Sequence, residues 1–150
     1  MKPAFFDPGV KKGGLAVFCE GVLVYASTLR ASTPAGLARL VQDRIEKYGA
    51  DVLVVEKMQK YAYARSKHKD LDRVEDMVDI LKSRVSVRVL RISPFAWKRQ
   101  VPKKVCEIRV RAILSKGELA SMSDTGHDAF DAVGIGLVHI GRAGKGLVPK

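Results

Sequence analysis

The sequence contains no asparagine and only three glutamines among its 150 residues. Thermophile proteins tend to avoid these thermolabile amides, so a hot source is one hypothesis. Long apolar runs are also missing, because no stretch reaches the 18 residues of a membrane-spanning helix. The opening residues, MKPAFFDPGV, contain no apolar segment typical of a signal peptide. The sequence therefore predicts a globular, cytoplasmic protein.

Cysteine is scarce, and its two positions do not suggest chemistry. Cys19 and Cys106 lie far apart and form no Cys-x-x-Cys pair. That spacing favours neither a zinc site nor a fold held together by disulfides. We expect two free, buried thiols in a reducing compartment.

Acidic residues are few: 16 Asp and Glu stand against 27 Lys and Arg, a formal net charge of +11. An excess of this size predicts a polyanionic partner, whereas an evenly basic, solvated surface is the alternative. The distribution favours a partner, because residues 57–69 hold five Lys or Arg and no acid, and residues 98–116 hold seven against one. These two stretches supply 12 of the 27 basic residues, which predicts binding to nucleic acid.

The apolar pattern predicts alternating strands and helices in the order β-β-β-α-β-α-β-α-α. The first helix has Thr33 as its N-cap and Pro34 at its first position, and it ends at Gly49. Pro94 begins a short turn around Trp97. The predicted strands are 3–8, 13–21, 22–31, 51–56 and 85–93, and the predicted helices are 34–48, 69–84, 103–116 and one that begins near 126.

This order predicts an α/β domain with a five-stranded mixed sheet. Three antiparallel strands would be joined to parallel strands, with helices on both faces. We expect one domain over residues 1–142 and a flexible, basic tail over 143–150. Asp7 ends the first strand and Glu56 ends the fourth. Sites in open α/β sheets lie at the C-terminal ends of parallel strands, so both acids are expected at such an edge.

The last predicted helix opens with two acids. In GHDAFDAVGIGLVHIG, residues 126–141, Asp128 and Asp131 are three apart and lie on one face, one turn apart. The remaining residues are small and apolar, and the glycines of Gly-Ile-Gly allow close packing. The pattern indicates a helix whose body is buried on the sheet.

Asp7, Glu56, Asp128 and Asp131 each have an ordinary structural explanation. Asp7 precedes Pro-Gly and fits a turn, and Glu56 is the first polar residue after a buried strand. Asp128 follows Thr125 by three residues and could complete a capping box, and Asp131 could pair with a nearby Lys or Arg. Taken singly, none of the four acids requires a functional role.

Taken together, the four acids favour a divalent cation. Carboxylates from separate elements of one domain would repel one another if they met without a cation. Hard ions such as Mg²⁺ prefer several oxygen ligands and keep waters for a substrate phosphate. Two such ions about 3.5–4 Å apart promote phosphodiester hydrolysis without any Cys or His. The basic stretches would hold nucleic acid beside them.

Three motifs, FFDPGVKKGGLAVF, DVLVVEKM and HDAFDAVGIGLVH, follow one another between about residues 3 and 142. In this order they resemble the RuvC-like Holliday-junction resolvases of the ribonuclease-H-like superfamily. That family shows Asp-Pro-Gly on its first strand, a Glu at the end of its fourth strand and Asp-Ala-x-Asp-Ala on its final helix. DAFDA at 128–132 matches the last motif as it stands.

The resemblance implies a ribonuclease-H-like nuclease domain with two Mg²⁺ ions per subunit, for which Mn²⁺ can substitute. Asp7, Glu56, Asp128 and Asp131 would be the metal ligands, and Lys98 would join them as a catalytic residue near the scissile phosphate. The resemblance also implies a homodimer that makes paired cuts in four-way DNA junctions and leaves 5′-phosphate and 3′-hydroxyl ends. The implied source is a bacterium or a bacteriophage, and neither a membrane nor a nucleotide cofactor is expected.

A basic and aromatic surface is expected around this centre. SPFAWKR is similar to the family's Pro-x-x-Val-Lys segment, and Lys103 or Lys104 matches a second family lysine, with general attraction of phosphate as the alternative. The family's junction-wedging aromatic is replaced here by Gln59, so Tyr61 or Tyr63 would stack on a base unless their loop folds onto its own core. The expected DNA-binding residues are Lys57, Lys60, Tyr61, Tyr63, Arg65, Lys67, Lys69, Lys98, Arg99, Lys103 and Lys104.

Two further expectations concern a histidine and a helix face. His127 precedes Asp128 and could orient a water beside the metals, or it could only begin the helix. The apolar positions of the second helix, around 71–81, are the candidate dimer interface. Packing into the core of the same chain is the alternative for these positions.

Two other classes of function stay open. A related hydrolase, such as a nuclease for RNA–DNA hybrids or a transposase catalytic domain, would use the same four acids, although the length of the chain disfavours the transposase. A non-catalytic junction-binding or RNA-binding protein would bind without Mg²⁺-dependent cleavage. Parallel assays on a junction, a hybrid and a linear duplex separate these functions.

Overall fold

A five-stranded mixed sheet forms the centre of the fold, as predicted. The structure, a computed structural model, describes residues 1–58, 68–123 and 126–150, without the side chain of His68. The strands lie in the order β3-β2-β1-β4-β5. β2 pairs antiparallel with both β1 and β3, whereas β4 pairs parallel with both β1 and β5. The strands are β1 (Pro3–Asp7), β2 (Lys12–Cys19), β3 (Val22–Arg30), β4 (Val52–Glu56) and β5 (Arg88–Ile92).

The first helix has the predicted boundaries. Thr33 Oγ1 accepts a hydrogen bond from the Gly36 N–H at 3.0 Å, and Gly49 ends the helix in the left-handed conformation. Within the described ranges, no helix is long and apolar enough to cross a membrane. The helices are α1 (Pro34–Tyr48), α2 (His68–Arg84), α3 (Pro94–Trp97), α4 (Lys103–Ile113), α5 (Lys116–Ala120) and α6 (His127–His139).

The single helix predicted over 103–116 is wrong, because the structure has two helices there. α4 ends before Leu114, whose backbone is extended, and Ser115 caps α5. The Ser115 hydroxyl accepts the Glu118 N–H at 3.2 Å, and the Glu118 carboxylate accepts the Ser115 N–H at 3.1 Å. This reciprocal capping box starts a new helix, which apolar periodicity alone does not show.

Residues 143–150, expected to be a free tail, form a small hairpin against the domain. β6 (Ala143–Gly144) pairs antiparallel with β7 (Val148–Pro149) around a tight 3-10 turn. Leu147 is fully buried in the core beside α6. The burial of Leu147 holds the hairpin against the domain, although the basic composition of residues 143–150 suggested a solvated tail.

Both faces of the sheet pack against helices, and one face is covered by α6. The close packing expected from the Gly-Ile-Gly stretch is confirmed on this face. A Cβ at Gly136 would lie 2.4 Å from Phe18 Cε2, and a Cβ at Gly134 would lie 2.5 Å from Trp97 Cζ3. The two glycines therefore let aromatic rings lie directly on the helix backbone.

The apolar side of α2, the candidate dimer interface, faces the core on the opposite side of the sheet. Val74, Met77, Val78 and Leu81 are at most 2% exposed. Met77, Val78 and Leu81 pack with the apolar residues of α1. These four positions therefore pack into the core of their own chain, as the alternative held for them. A dimer interface on the rest of this face of α2 stays a prediction.

The two cysteines are free, as expected, but they differ in burial. Cys106 is buried, whereas Cys19 is partly exposed. Burial raises the pKa of the Cys106 thiol. The expectation of two buried thiols therefore holds for Cys106 alone.

A buried ion pair joins α5 to the segment after α6 and to the β2–β3 turn. Glu118, which is 5% exposed, binds Arg142 through both carboxylate oxygens, at 2.5 and 3.0 Å. Arg142 also donates to the Gly21 carbonyl at 3.0 Å, and the Leu23 N–H donates to Glu118 at 2.8 Å. Burial acts to raise the pKa of Glu118, but the bonds from Arg142, Leu23 and Ser115 lower it to about 2.

Glu118→Gln is expected to destabilise the fold in a pH-dependent manner. Breaking a buried pair costs about 3–5 kcal/mol, because the remaining charge is left uncompensated. Since the pKa is lowered, the pair stabilises the fold above the unfolded value of 4.5, and this stabilisation is lost as the pH falls toward about 2. Urea unfolding should show a larger difference from wild type at about pH 7 than at about pH 3. The exposed Glu46→Gln is the control, and a pH-independent loss in Glu118→Gln would contradict the ion-pair explanation.

Candidate metal centre

Two parallel strands end side by side at one edge of the sheet. β1 and β4 pair with Phe6 opposite Val55, so the residues that follow, Asp7 and Glu56, are neighbours. Both strands are buried up to this point, which fixes the two acids on rigid backbone. The structure therefore places Asp7 and Glu56 at the edge where the sequence predicted them.

The first turn of α6 brings the other two acids to the same place. One carboxylate oxygen from each of Asp7, Asp128 and Asp131 lies within 4.8 Å of the others. Glu56 adjoins this group, and the Asp7 and Glu56 carboxyl groups each shift the pKa of the other. Glu56 and Asp131 are each 6% exposed, while the other two acids are partly exposed. We call these four residues the carboxylate cluster.

A glycine on β2 makes this approach of α6 possible. Gly14 pairs with Asp7 across the β1–β2 ladder. A Cβ at Gly14 would lie 1.7 Å from the Asp128 carbonyl oxygen and 2.9 Å from the Ala129 nitrogen. Any side chain at this position would displace the first turn of α6 from the sheet, because real Cβ atoms do not approach backbone atoms so closely.

Burial and crowding raise the pKa values of the aspartates in the cluster. The pKa of Asp7 lies well above its ordinary value because of burial and then of the charges of Glu56, Asp131 and Asp128. Burial likewise raises the pKa of Asp131, and Asp128 adds to the effect. Without a cation, the cluster therefore favours bound protons over unshielded charges.

Glu56 has a polar partner that the sequence did not reveal. Burial raises the pKa of Glu56, while the charge of Lys98 and a hydrogen bond from Trp97 act to lower it. Trp97 Nε1 donates to Glu56 Oε2 at 2.5 Å. Trp97 is fully buried at the end of α3, so this hydrogen bond is shielded from water.

The predicted lysines just after α3 and at the start of α4 act on the carboxylate cluster. Against the effect of burial, Lys98 lowers the pKa of three of the four acids, and Lys103 lowers that of Asp131. Arg99 and Lys104 are exposed. Arg99 has a φ of 54°, a left-handed conformation that is uncommon for a residue with a side chain. The two lysines thus partly offset the negative charge of the acids.

A basic groove adjoins the carboxylate cluster, and the sequence analysis did not identify it. The groove has a volume of about 750 Å³, and its lining includes Lys11, Lys12, Arg30 and Arg73 next to Asp128. Lys12 Nζ lies 3.2 Å from Asp128 Oδ2. Lys12 and Arg30 are opposite each other across the β2–β3 ladder. Because these residues come from different elements, no basic run in the sequence marks the groove.

The start of α6 differs from the predicted cap. Gly126 is the N-cap residue, while Thr125, the predicted cap, lies outside the described residues. The His127 ring nitrogen Nδ1 lies 3.3 Å from Glu107 Oε2, and the His127 side chain is 63% exposed. The imidazole is therefore engaged by α4, and its expected role beside the metals stays a prediction.

The DNA-binding residues predicted after β4 are described only at the two ends of their stretch. Lys57 and Lys69 are both exposed. Gln59 and the tyrosines of the predicted junction wedge fall between these ends. Outside the described residues lie Gln59, Lys60, Tyr61, Tyr63, Arg65 and Lys67.

The carboxylate cluster fits a hard divalent cation. Carboxylate oxygens are the ligands that Mg²⁺ and Mn²⁺ prefer. Three of them already lie within 4.8 Å of one another, with Glu56 adjoining. A cation would relieve the repulsion that raises the pKa of Asp7, and its binding would release protons. The residues present are thus suited to hold Mg²⁺ or Mn²⁺.

Comparisons with solved structures identify the fold. RuvC of Thermus thermophilus in complex with a Holliday junction substrate is similar with a TM-score of 0.70 and 20% identity, over 95% of this chain and 94% of RuvC. Another T. thermophilus RuvC structure gives a TM-score of 0.64 and 18% identity, over 95% of each chain. The yeast mitochondrial Holliday junction resolvase Ydc2 gives 0.50 and 12%, over 91% of this chain and 75% of Ydc2.

These similarities extend over almost the whole chain. No family model matches the sequence, and no curated protein matches it. The chain has the ribonuclease-H-like fold of the RuvC structures. The resemblance seen in the three sequence motifs is therefore confirmed at the level of the fold.

Proposed function

We propose that the protein is a metal-dependent, structure-selective endonuclease that cuts four-way DNA junctions. The observation that carries this proposal is the carboxylate cluster at the edge of a RuvC-like sheet. One structure of this fold, T. thermophilus RuvC, is in complex with a Holliday junction substrate. The net charge of +11 supports a nucleic-acid substrate.

The carboxylate cluster would hold two Mg²⁺ ions, with Mn²⁺ as a substitute. Asp7 would be a central ligand, because the charges of Glu56, Asp131 and Asp128 all act on it. When bound, the ions would activate the attacking water and stabilise the leaving oxygen of the phosphodiester. The protein fixes the carboxylates in advance through the β1–β4 edge and through Gly14.

Lys98 and Lys103 would stabilise the scissile phosphate. Lys98 lowers the pKa of Asp7, Glu56 and Asp131 through its charge, so its positive charge acts on most of the cluster. A positive charge held there stabilises negative charge that develops on the phosphate during hydrolysis. The 5′-phosphate and 3′-hydroxyl products implied by the sequence resemblance form part of this proposal.

The basic groove would guide one DNA strand toward the carboxylate cluster. Its lining has four cationic residues and two acids, Asp70 and Asp128, and Lys12 contacts Asp128, so a phosphate backbone in the groove would reach the cluster at this acid. Contacts with phosphates orient nucleic acid without reading its sequence. The groove therefore suits selection by DNA structure.

Two such centres would act together in a homodimer. Opposing strands of a junction are related by a two-fold axis, and a symmetric dimer presents two sites with the same symmetry. Sedimentation velocity, with and without junction DNA, measures the oligomeric state. A monomer in both conditions would contradict this part of the proposal.

A cleavage assay on a mobile four-way junction tests the proposed function. We expect paired cuts in Mg²⁺ and Mn²⁺ and none in EDTA. An RNA–DNA hybrid and a linear duplex of the same sequence are the matched substrates. Preference for the hybrid would indicate a different ribonuclease-H-like hydrolase, and binding without cutting in any metal would indicate a non-catalytic junction-binding protein.

The double substitution Lys11→Ala and Arg30→Ala is expected to weaken junction binding. Both side chains are exposed and line the groove, and each lost phosphate contact should reduce the slope of log K against log salt by about 1. Cleavage at saturating DNA should be unchanged, because neither residue belongs to the carboxylate cluster. Fluorescence anisotropy over a range of salt concentrations measures the slope. Arg39→Ala, on the exposed side of α1, is the control; an equal effect there would contradict the groove as the DNA path.

A further inference from the structure

Trp97 is the only tryptophan in the chain, and it stands where the resembled segment has a valine. Its indole N–H donates to Glu56 Oε2 at 2.5 Å, with both side chains buried. An apolar valine could not make this bond. The tryptophan therefore does more than fill space behind the sheet.

We propose that Trp97 is a positioning residue for the metal centre: its indole N–H fixes the Glu56 carboxylate in the orientation that binds a divalent cation. This inference rests on the proposed function, in which Glu56 is a metal ligand. The bond occupies one lone pair of Oε2, and a carboxylate has further lone pairs on its two oxygens that can bind a cation. Partners of this kind orient ligands and are worth about 10–100-fold in metal affinity.

The indole is itself held in place from several directions. Its six-membered ring lies against α6 at Gly134, where a Cβ would come within 2.5 Å of Cζ3. Ser93 caps α3 by accepting the Ala96 N–H at 3.3 Å. Lys98 Nζ lies 5.2 Å from the centroid of the Trp97 ring. A ring so confined cannot rotate without moving α6, so the N–H direction is fixed before any ion binds.

The same geometry makes Trp97 a reporter of the site. The indole contacts one acid of the carboxylate cluster and lies beside Lys98, which acts on three of them. Because the chain has no other tryptophan, a change in its fluorescence on addition of Mg²⁺ comes from this position alone. Metal binding can thus be followed without a cleavage assay.

The test replaces the N–H while keeping the ring. Incorporation of benzothienylalanine, in which sulfur replaces the indole N–H, changes only position 97 because the chain has no other tryptophan. We expect the affinity for Mn²⁺, measured by electron paramagnetic resonance on the full chain, to fall by about 10–100-fold. Trp97→Phe should show the same loss. Junction binding in EDTA should be unchanged, while the melting temperature of the benzothienylalanine protein should fall only by the few degrees that one lost buried hydrogen bond costs.

Controls separate a positioning role from general damage. Phe95→Leu, on the same short helix but 58% exposed, should leave the Mn²⁺ affinity as in wild type. A benzothienylalanine protein that binds Mn²⁺ within twofold of wild type would overturn the inference, even if Trp97→Phe fails to fold. A wild-type protein that binds Mn²⁺ but cuts none of the DNA substrates would overturn the proposed function instead, and the metal affinities would still decide the role of Trp97.

Discussion

Asparagine in place of Asp7 is expected to abolish cleavage and, at the same time, to stabilise the metal-free protein. Asp7 interacts with the three other acids, so the substitution removes the proposed metal ligand on which all of them act. Loss of a partner behind a metal ligand costs about 10–100-fold. Loss of the ligand itself should therefore cost more than about 100-fold in cleavage rate, while junction binding in EDTA persists.

The gain in stability follows from the crowding of the acids. Because burial and the neighbouring charges raise the pKa of Asp7, the metal-free fold is most stable while Asp7 is protonated and loses stability as the pH rises through that value. Asparagine is neutral at every pH and avoids this loss. We expect Asp7→Asn to gain about 0.5–2 kcal/mol at about pH 8 and little at about pH 4.

Thermal unfolding in EDTA at both pH values measures this gain, and a junction cleavage assay measures the loss of activity. Asp43→Asn, on the exposed side of α1, is the control and should match wild type in both assays. Cleavage by Asp7→Asn at the wild-type rate would contradict the role of the carboxylate cluster as the cleavage site. A variant that is less stable than wild type at about pH 8 would show that the cluster is not a site of repulsion.

Gly14→Ala should also abolish the proposed cleavage, although it alters no proposed ligand. The new Cβ would lie 1.7 Å from the Asp128 carbonyl oxygen, so the first turn of α6 must move. A displacement of about 1 Å in a catalytic group can cost about 100-fold, and overpacking costs about 1–3 kcal/mol of stability. We expect a loss of cleavage of about 100-fold or more, with junction binding retained.

Gly117→Ala is the matched control for this substitution. Gly117 lies in α5, and the nearest atom to a Cβ there is Ser115 Oγ at 3.9 Å. Alanine should fit without displacement and raise helix stability by about 0.5–1 kcal/mol. Single-turnover cleavage and urea unfolding of both variants measure the effects. Full activity in Gly14→Ala would show that the position of α6 does not govern catalysis.

Features set by neighbouring residues could be predicted from the sequence. Thr33 and Gly49 define the two ends of α1 through contacts within one turn, so the local sequence is enough to predict both ends of this helix. The strand ends at Asp7 and Glu56 follow from apolar runs that stop at a charge. Parallel pairing then places these two acids side by side, and the mixed sheet follows from the order of elements.

Features set by distant contacts could not be predicted in this way. The glycines of β2 are visible in the sequence, but only the packed structure shows that Gly14 makes room for the backbone of α6. The basic groove combines residues from separate elements, so a count of Lys and Arg within short stretches of sequence does not reveal it. The hydrogen bond from Trp97 to Glu56 depends on the angle of a short helix, which periodicity cannot determine.

The carboxylate cluster unites the first strand with the last long helix, which has a consequence for protein synthesis. A chain that emerges from the ribosome exposes Asp7 and Glu56 early, but Asp128 and Asp131 only after most of the sequence has been translated. α6 must then dock on Gly14 before the acids meet. A partly synthesised chain thus carries the basic residues but lacks the assembled carboxylate cluster, so any metal binding by the cluster must wait until α6 has been made and docked.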